Sequence, residues 1–229
     1  MGLYVETRIH ADLDRIWNRT QDPALHQRWD LRFTCIDYAP RAAGEPQRFT
    51  YAVRVLPGLT VSGTGISAGE RRRPDGTRTS ALRFSSAHPL SLIADGQGYW
   101  RYIPVDSGVR FLTGYDYTPG WGRFGRLVDR FAFRPLMAWG TRWSFDRLRL
   151  WCERDISPER SLRNGLAEAA ARVTAVALAG QAHPLLAVAV ATVAIALPAL
   201  PTTPSSRRCL RRPPDRVAAP AVLEVMTAR

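Results

Sequence analysis

Hydrophobic and polar residues alternate along most of the chain up to position 120, which is the period of a β-strand with one buried face. The first run covers positions 3 to 9, where every second residue is apolar or threonine. Turn dipeptides such as Pro57–Gly58 and Asp75–Gly76 separate later runs and favour hairpins. Further strands are predicted over positions 31–37, 49–55, 59–67, 82–84, 98–105 and 109–117.

Helical periodicity occurs after the first strand and again after the last one. Asp12 is placed to cap a short helix over positions 12–22, and Pro23 favours the start of a second helix over 23–30. The long helical pattern that follows the last strand has apolar residues at steps of three and four. This spacing predicts one broad stripe packed on the sheet, made of Phe124, Leu127, Val128, Phe131, Leu136, Trp139, Trp143 and Leu148.

The order of these elements predicts the fold class. One strand, two short helices, a series of antiparallel strands and one long helix favour an α+β fold, in which a curved sheet grips the long helix. Pro135 lies inside the long helix and has no N–H to donate, so it predicts a break or kink near Phe133–Arg134.

The composition changes after the long helix. We predict a ligand-binding globular domain over residues 1–158, an Ala-rich helical segment over 159–200, and a disordered basic tail over 201–229. The tail is predicted from its proline, serine and arginine content.

Segment 173–200 contains no acidic or basic residue except His183. It is long enough to cross about 30 Å of hydrocarbon. Pro184 and Pro198 interrupt it, however, and alanine dominates its composition. Two interpretations therefore stay open: a membrane-embedded helix and a loosely packed Ala-rich helix. The arginines on either side of the segment do not settle its orientation.

The chain of 229 residues carries a formal net charge of +12, which is a common property of nucleic-acid-binding proteins. All 32 basic residues are arginine, however, so the charge reflects a general composition bias as much as a binding surface. No DNA- or RNA-binding motif accompanies the charge. We predict no nucleic-acid partner.

Three cysteines, Cys35, Cys152 and Cys209, are far apart and show no metal-ligand spacing. They are predicted to be reduced thiols, and neither a metal nor a cofactor is expected. The N-terminal residues enter a strand pattern directly, without a basic and then apolar leader. We therefore expect a cytoplasmic protein, with segment 173–200 as a candidate tether to the inner face of the membrane.

A GxGxxG pattern, Gly120–Gly125, lies between the last strand and the long helix. Dinucleotide-binding folds place this pattern in a βαβ unit, but the strands here form a meander. Trp121 and Phe124, between the glycines, would also crowd a pyrophosphate. The glycines are therefore predicted to shape a tight strand-to-helix turn.

Aromatic residues from several elements must converge if the long helix packs on the sheet. The phase that turns Phe111 inward also turns Thr113, Tyr115 and Tyr117 inward, which suits a cavity with a few orienting polar groups better than a solid core. Tyr115 and Asp37 are candidates for a general acid or base, although strand carboxylates usually face solvent. The predicted cavity lining is Trp17, Trp29, Phe33, Tyr51, Trp100, Phe111, Thr113, Tyr115, Trp139 and Trp143.

Three stretches resemble one known superfamily: VETRIHADLDRIWNRTQDPALHQRWDLRF, GVRFLTGYDY and WSFDRLRLW. Over roughly residues 1–156 the chain resembles START-like (SRPBCC) proteins, and among them the polyketide cyclase/dehydrase-like members. The resemblance implies a helix-grip fold with a deep hydrophobic cavity. Members bind lipids, polyketides, hormones or aromatic metabolites, and some catalyse cyclisation or dehydration, without one universal catalytic residue.

The expected function is therefore binding of a hydrophobic small molecule between sheet and long helix. A cyclase- or dehydratase-type enzyme using the same cavity is the alternative. A structural, membrane-associated protein with a filled core is a third reading.

Overall fold

The computed structural model describes residues 2–214, apart from the side chain of Ala68. These residues form a seven-stranded antiparallel sheet in the order β1-β7-β6-β5-β4-β3-β2, with helices on one face. The predicted α+β helix-grip fold is confirmed. The strands are β1 (Leu3–Ile9), β2 (Cys35–Tyr38), β3 (Arg48–Leu56), β4 (Leu59–Arg72), β5 (Arg78–Ser85), β6 (Ile93–Val105) and β7 (Gly108–Pro119). The helices are α1 (Leu13–Gln21), α2 (Pro23–Trp29), α3 (Gly122–Val128), α4 (Arg134–Arg154), α5 (Pro158–Ala182) and α6 (Pro184–Ala196).

The inner face of the sheet carries the aromatic residues that the alternation along the strands predicted to point inward. On β7, Phe111, Thr113, Tyr115 and Tyr117 are all buried, as predicted. Phe111 stacks on Phe145 of α4 with ring centroids 4.5 Å apart. Burying an aromatic pair of this kind stabilises the fold by several kcal/mol, at about 25 cal/mol per Å² of apolar area.

The predicted break at Pro135 takes the form of a π-helical turn over Asp129–Phe133, between α3 and α4. Pro135 then lies in the first turn of α4, where its missing N–H leaves no hydrogen bond unmade. The wider turn lets the helical path continue but shifts its phase.

The predicted helical stripe is confirmed at Leu148 but wrong for most of its other residues. Thr141, Phe145 and Leu148 face the sheet and are completely buried. The stripe was derived from an uninterrupted 3.6-residue period, which the π-turn breaks. Consequently, the upstream stripe residues are largely exposed: Phe124, Leu127, Phe131, Leu136 and Trp139.

Buried Arg147 joins α4 to the ends of two other helices. Its guanidinium donates to the carbonyl oxygens of Trp29 (3.0 Å), Arg28 (2.9 Å) and Pro158 (3.0 Å). Burial lowers the pKa of Arg147 to about 10, so the side chain stays charged at neutral pH. The arginine thereby fixes the end of α2 and the start of α5 against α4.

The chain returns to the domain after α6 as a strap, residues 199–210, which contains a short 3-10 helix over Ser206–Arg208. The backbone N–H of Ser205 donates to Asp146 of α4 at 2.7 Å, and Arg208 donates to the same carboxylate at 2.9 Å. Leu210 then pairs with Glu6 on the edge of β1. The structure thus differs from the predicted disordered tail in its first part, because Asp146 and the β1 edge supply polar partners. Residues 215–229 of that tail lie outside the described residues.

Helices α5 and α6 form an antiparallel hairpin whose turn is at His183. Pro184 begins α6, so the apolar segment 173–200 is divided between two helices. Within residues 2–214, no helix is long and apolar enough to cross a membrane.

We expect Asp146→Asn to destabilise the protein by about 3–5 kcal/mol, because it removes the buried carboxylate that pairs with Arg149 and Arg208. Chemical denaturation measures this loss. Asp14→Asn is the matched control, since Asp14 is 83% exposed in its pair with Arg78 and should change stability by at most about 1 kcal/mol. Equal losses in the two variants would contradict the role of Asp146.

Candidate functional site

The space between the sheet and α4 has two halves, and the first is filled. Trp29, Trp100 and Phe111 contact one another edge-to-face or tilted, with ring centroids 6.0–6.5 Å apart. Thr113 donates its hydroxyl to the carbonyl oxygen of Tyr99 at 2.9 Å. Four predicted lining residues therefore belong to the packed core and do not line a cavity: Trp29, Trp100, Phe111 and Thr113.

The second half is built on glycines of β4 and β6. A Cβ at Gly63 would lie 2.4 Å from the Tyr51 ring, and one at Gly65 would lie 2.1 Å from the Phe49 ring. A Cβ at Gly96 would likewise lie 2.5 Å from the Phe84 ring. The rings occupy the space that side chains would fill and therefore lie close against the sheet. They form a half-buried aromatic floor, defined as Phe49, Tyr51 and Phe84.

One wall of this groove is formed by the segment after α2. The Phe33 ring meets Tyr51 edge-to-face at 5.7 Å. The Arg32 guanidinium lies 5.7 Å over the Phe33 ring and 5.5 Å over the Tyr115 ring. A planar cation between two aromatic rings holds both in place. Phe33, Tyr51 and Tyr115 are thus the predicted lining residues that border the groove.

A buried ion pair fixes Arg32. Its Nε donates to Asp30 Oδ1 at 2.9 Å and its Nη2 to Oδ2 at 2.6 Å, a bidentate geometry. Burial alone would favour the neutral carboxyl, but the Arg32 charge and hydrogen bonds from His26 and Arg32 hold the pKa of Asp30 well below its usual range. Burial lowers the pKa of His26, and hydrogen bonding to Asp30 only partly opposes this.

Tyr115 reaches from the sheet to α4. Its hydroxyl lies 3.1 Å from the Thr141 hydroxyl, which itself donates to the Met137 carbonyl oxygen at 2.8 Å. Burial raises the pKa of Tyr115, partly offset by Arg32. The phenol is therefore protonated at neutral pH and acts as a hydrogen-bonding group rather than a base.

A second polar cluster lies next along β7. Tyr117 donates to Asp129 in the π-helical turn, and Arg134 donates to the same carboxylate at 3.1 Å. Burial and this hydrogen bond raise the pKa of Tyr117. The cluster ties the π-turn to the sheet at the groove's end.

Four predicted site residues lie elsewhere. Trp139 is 44% exposed and stacks on Trp143, on the face of α4 away from the sheet, because the helix phase differs from the predicted one. Trp17 packs at the margin of the filled half, 5.0 Å from Tyr102. Asp37 is exposed on edge strand β2, as isolated strand carboxylates usually are.

Sequence reasoning missed Asp30, Arg32, Phe49 and Phe84. The alternation on β3 that selected Tyr51 also turns Phe49 inward, so this floor residue could have been found. The Asp30–Arg32 pair carries no such signal, because burial of two charges depends on the elements packed around them.

A hollow of about 660 Å³ lies along β4 to β7. Its lining contains the outward-facing Arg83, Asp95 and Asp116, and also Phe84 of the aromatic floor and Tyr117.

No protein-family model matches the chain. The chain is 48% identical over 165 residues to a Bacillus subtilis (strain 168) protein named "uncharacterized membrane protein YndG". The alignment covers 72% of this chain and 62% of the relative, so the chain spans less than two thirds of that protein.

Solved structures with a similar fold include the di-domain ARO/CYC StfQ from the steffimycin biosynthetic pathway. Its TM-score is 0.50 at 12% identity, over 67% of this chain and 50% of StfQ. A STAR-related lipid transfer protein from Xanthomonas axonopodis gives a TM-score of 0.48 at 19% identity, over 63% of this chain and 81% of that protein. At 12% identity the likeness to StfQ shows the fold alone.

We expect the stability of the protein to fall as the pH drops from about 7 to 5, because unfolded histidine titrates near 6.5 whereas buried His26 has a lowered pKa. Below pH 6.5 the unfolded chain takes up a proton that folded His26 resists, which favours unfolding. His26→Gln should make this decline smaller, as measured by denaturation at several pH values. Exposed His10→Gln is the control, and an unchanged decline in His26→Gln would refute the assignment.

Proposed function

Because this chain has the START-like helix-grip fold of the SRPBCC superfamily, we propose that it binds a hydrophobic small molecule on the aromatic floor of the groove. The observation that carries the proposal is the arrangement of three inward glycines under three half-buried rings. A solid core would bury such rings completely, as it does around Trp29.

Ring-against-ring contact supplies the affinity. An aromatic or polycyclic ligand on the floor would remove apolar area from water at about 25 cal/mol per Å². Each well-placed aromatic contact adds about 0.5–1.5 kcal/mol. Flat ligands gain most, because the rings of Phe49, Tyr51 and Phe84 lie close against the sheet.

The polar end of the groove orients the ligand. Asp30 already neutralises Arg32, so the pair favours a hydroxyl or carbonyl group over a second carboxylate. Tyr115 is protonated at neutral pH and is placed to hydrogen-bond the same kind of group. This character supports binding over a cyclase- or dehydratase-type reaction in which Tyr115 acts as the base.

We place this binding at a membrane. A relative 48% identical to the chain is named as a membrane protein. The α5–α6 hairpin, which contains most of segment 173–200, carries many exposed large apolar side chains. Both observations support membrane association of the chain, as the apolar composition of this segment suggested.

The proposal predicts that full-length protein binds the fluorescent probe 8-anilinonaphthalene-1-sulfonate in the groove. Tyr51→Ala should weaken this binding about five- to tenfold, because loss of one aromatic contact costs about 1–1.5 kcal/mol. Tyr4→Ala is the matched control, since Tyr4 lies on the outer face of the same sheet. Fluorescence titration measures both.

Native mass spectrometry of the full chain, purified without added ligand, adds a second readout. A co-purifying small apolar mass that Tyr51→Ala loses and Tyr4→Ala keeps is the expected result. Equal probe affinities in wild type and both variants would exclude the groove as the binding site.

A further inference from the structure

The tip of the α5–α6 hairpin projects from the domain as an apolar prong, defined here as residues 173–196. No Asp, Glu, Lys or Arg occurs from Val173 to Ser206. Helix α6 has no buried residue, although it packs along α5. Its exposed large side chains are Leu185, Leu186, Val188, Val193 and Ile195.

These side chains surround much of the prong. At 100° per residue, Leu185, Leu186 and Ile195 point in different directions around α6, and only the side facing α5 is covered. A helix that packs on one protein partner carries one apolar stripe, whereas an all-round apolar helix is typical of a core or a lipid environment. A second copy of the chain would cover only one side of the prong.

An arginine collar surrounds the base of the prong, where α6 ends. Arg172 donates to the carbonyl oxygens of Ala194, Leu197 and Pro198. Arg207 donates to the carbonyl oxygen of Ile195 at 3.2 Å. The other two arginines of the collar bind carbonyl oxygens of residues 199–201: Arg154 and Arg208.

The turn of the prong pairs three of its own main-chain groups. His183 donates its N–H to the Ala179 carbonyl oxygen at 3.0 Å, and its own carbonyl oxygen accepts from Ala187 at 3.1 Å. The His183 Nδ1 accepts from the Leu185 N–H at 3.1 Å. Each of these bonds lowers the cost of placing the turn in hydrocarbon.

We propose that the prong inserts into one leaflet of a lipid bilayer, with Arg154 and Arg207 of the collar at the level of anionic head groups, since Arg172 pairs with Glu168 and Arg208 with Asp146. The inference rests on the membrane association proposed above and names its site and depth. Helix α6 has 13 residues and is about 20 Å long. One leaflet with its head groups is about 20–22 Å thick, so the tip reaches the middle of the bilayer when the collar meets the phosphates.

Vesicle flotation of the full chain tests the site. The chain should bind phosphatidylcholine vesicles, and more strongly when they contain phosphatidylglycerol. Leu185→Asp should weaken binding about tenfold or more, because a carboxylate near the tip would enter hydrocarbon. An acid at the start of α6 is favourable for the helix itself. Leu90→Asp is the matched control, since Leu90 is an exposed leucine between β5 and β6.

A separate substitution tests the role of the arginine collar. Arg207→Gln should weaken binding to phosphatidylglycerol-containing vesicles about fivefold and leave binding to pure phosphatidylcholine unchanged. An equal effect on both kinds of vesicle would overturn the head-group role of the collar.

Depth-dependent quenching distinguishes insertion from surface binding. A fluorophore on Leu185→Cys, in a Cys35→Ser background, should be quenched best by lipids spin-labelled deep in the acyl chain. The same fluorophore on Ile195→Cys, near the collar, should be quenched best by lipids labelled near the head group. Shallow quenching at both positions would overturn insertion while leaving membrane association intact.

Two further results would overturn the inference. One is vesicle binding by Leu185→Asp equal to that of wild type. The other is a dimer in sedimentation that Leu185→Asp dissociates, with no vesicle binding by either protein, which would make a second copy the partner. Probe binding in the groove is measured on the same variants, so failure of the prong is distinguishable from failure of the ligand-binding proposal.

Discussion

The enclosure of α4 is the constraint on which the rest of the structure depends. The sheet covers one side of this helix. Two buried charged residues of α4 bind the segments that cover its other sides: Arg147 binds the end of α2 and the start of α5, and Asp146 binds the returning strap. Burying charge is costly unless hydrogen bonds compensate for lost hydration, as the three bonds of the Arg147 Nη1 and Nη2 do here. Arginine suits this purpose because its planar group donates in several directions, as Arg208 does to Asp146 and three carbonyl oxygens.

The inner face of the sheet has two regions, a solid core at one end and the groove at the other. Around Trp29 and Phe111, bulky residues on both sides of the space fill it. Towards β4 and β3, glycines replace the inward side chains, and the rings of neighbouring strands lie over them. The inward glycines of β4 and β6 thus contribute to the difference between the filled half and the half-open groove. The Asp30–Arg32 pair marks the boundary and provides the groove's polar end.

Arg208 connects the base of the prong to α4. Arg208 binds both Asp146 of α4 and the carbonyl oxygens that follow α6, so the base of the prong is fixed to the helix that covers the inner face of the sheet. A ligand-binding groove attached to a membrane-inserting prong would exchange apolar ligands close to the bilayer in which such molecules dissolve. The two proposals are physically compatible, although each rests on its own residues.

Local periodicity in the sequence was sufficient to predict the number and approximate positions of the strands, the inward phase from Phe111 to Tyr117, the α+β fold class and the irregularity near Pro135, because these follow from near neighbours in the chain. It did not predict the strand ends, since the second strand begins at Cys35 and not at Leu31. Tertiary structure alone decided which face of α4 meets the sheet, and it moved Trp139 and Trp143 away from the predicted cavity. It also decided which aromatic residues form core and which line a groove, and which charges are buried. Those outcomes depend on distances between elements far apart in the chain, and a single π-turn or glycine changes them without altering the local pattern.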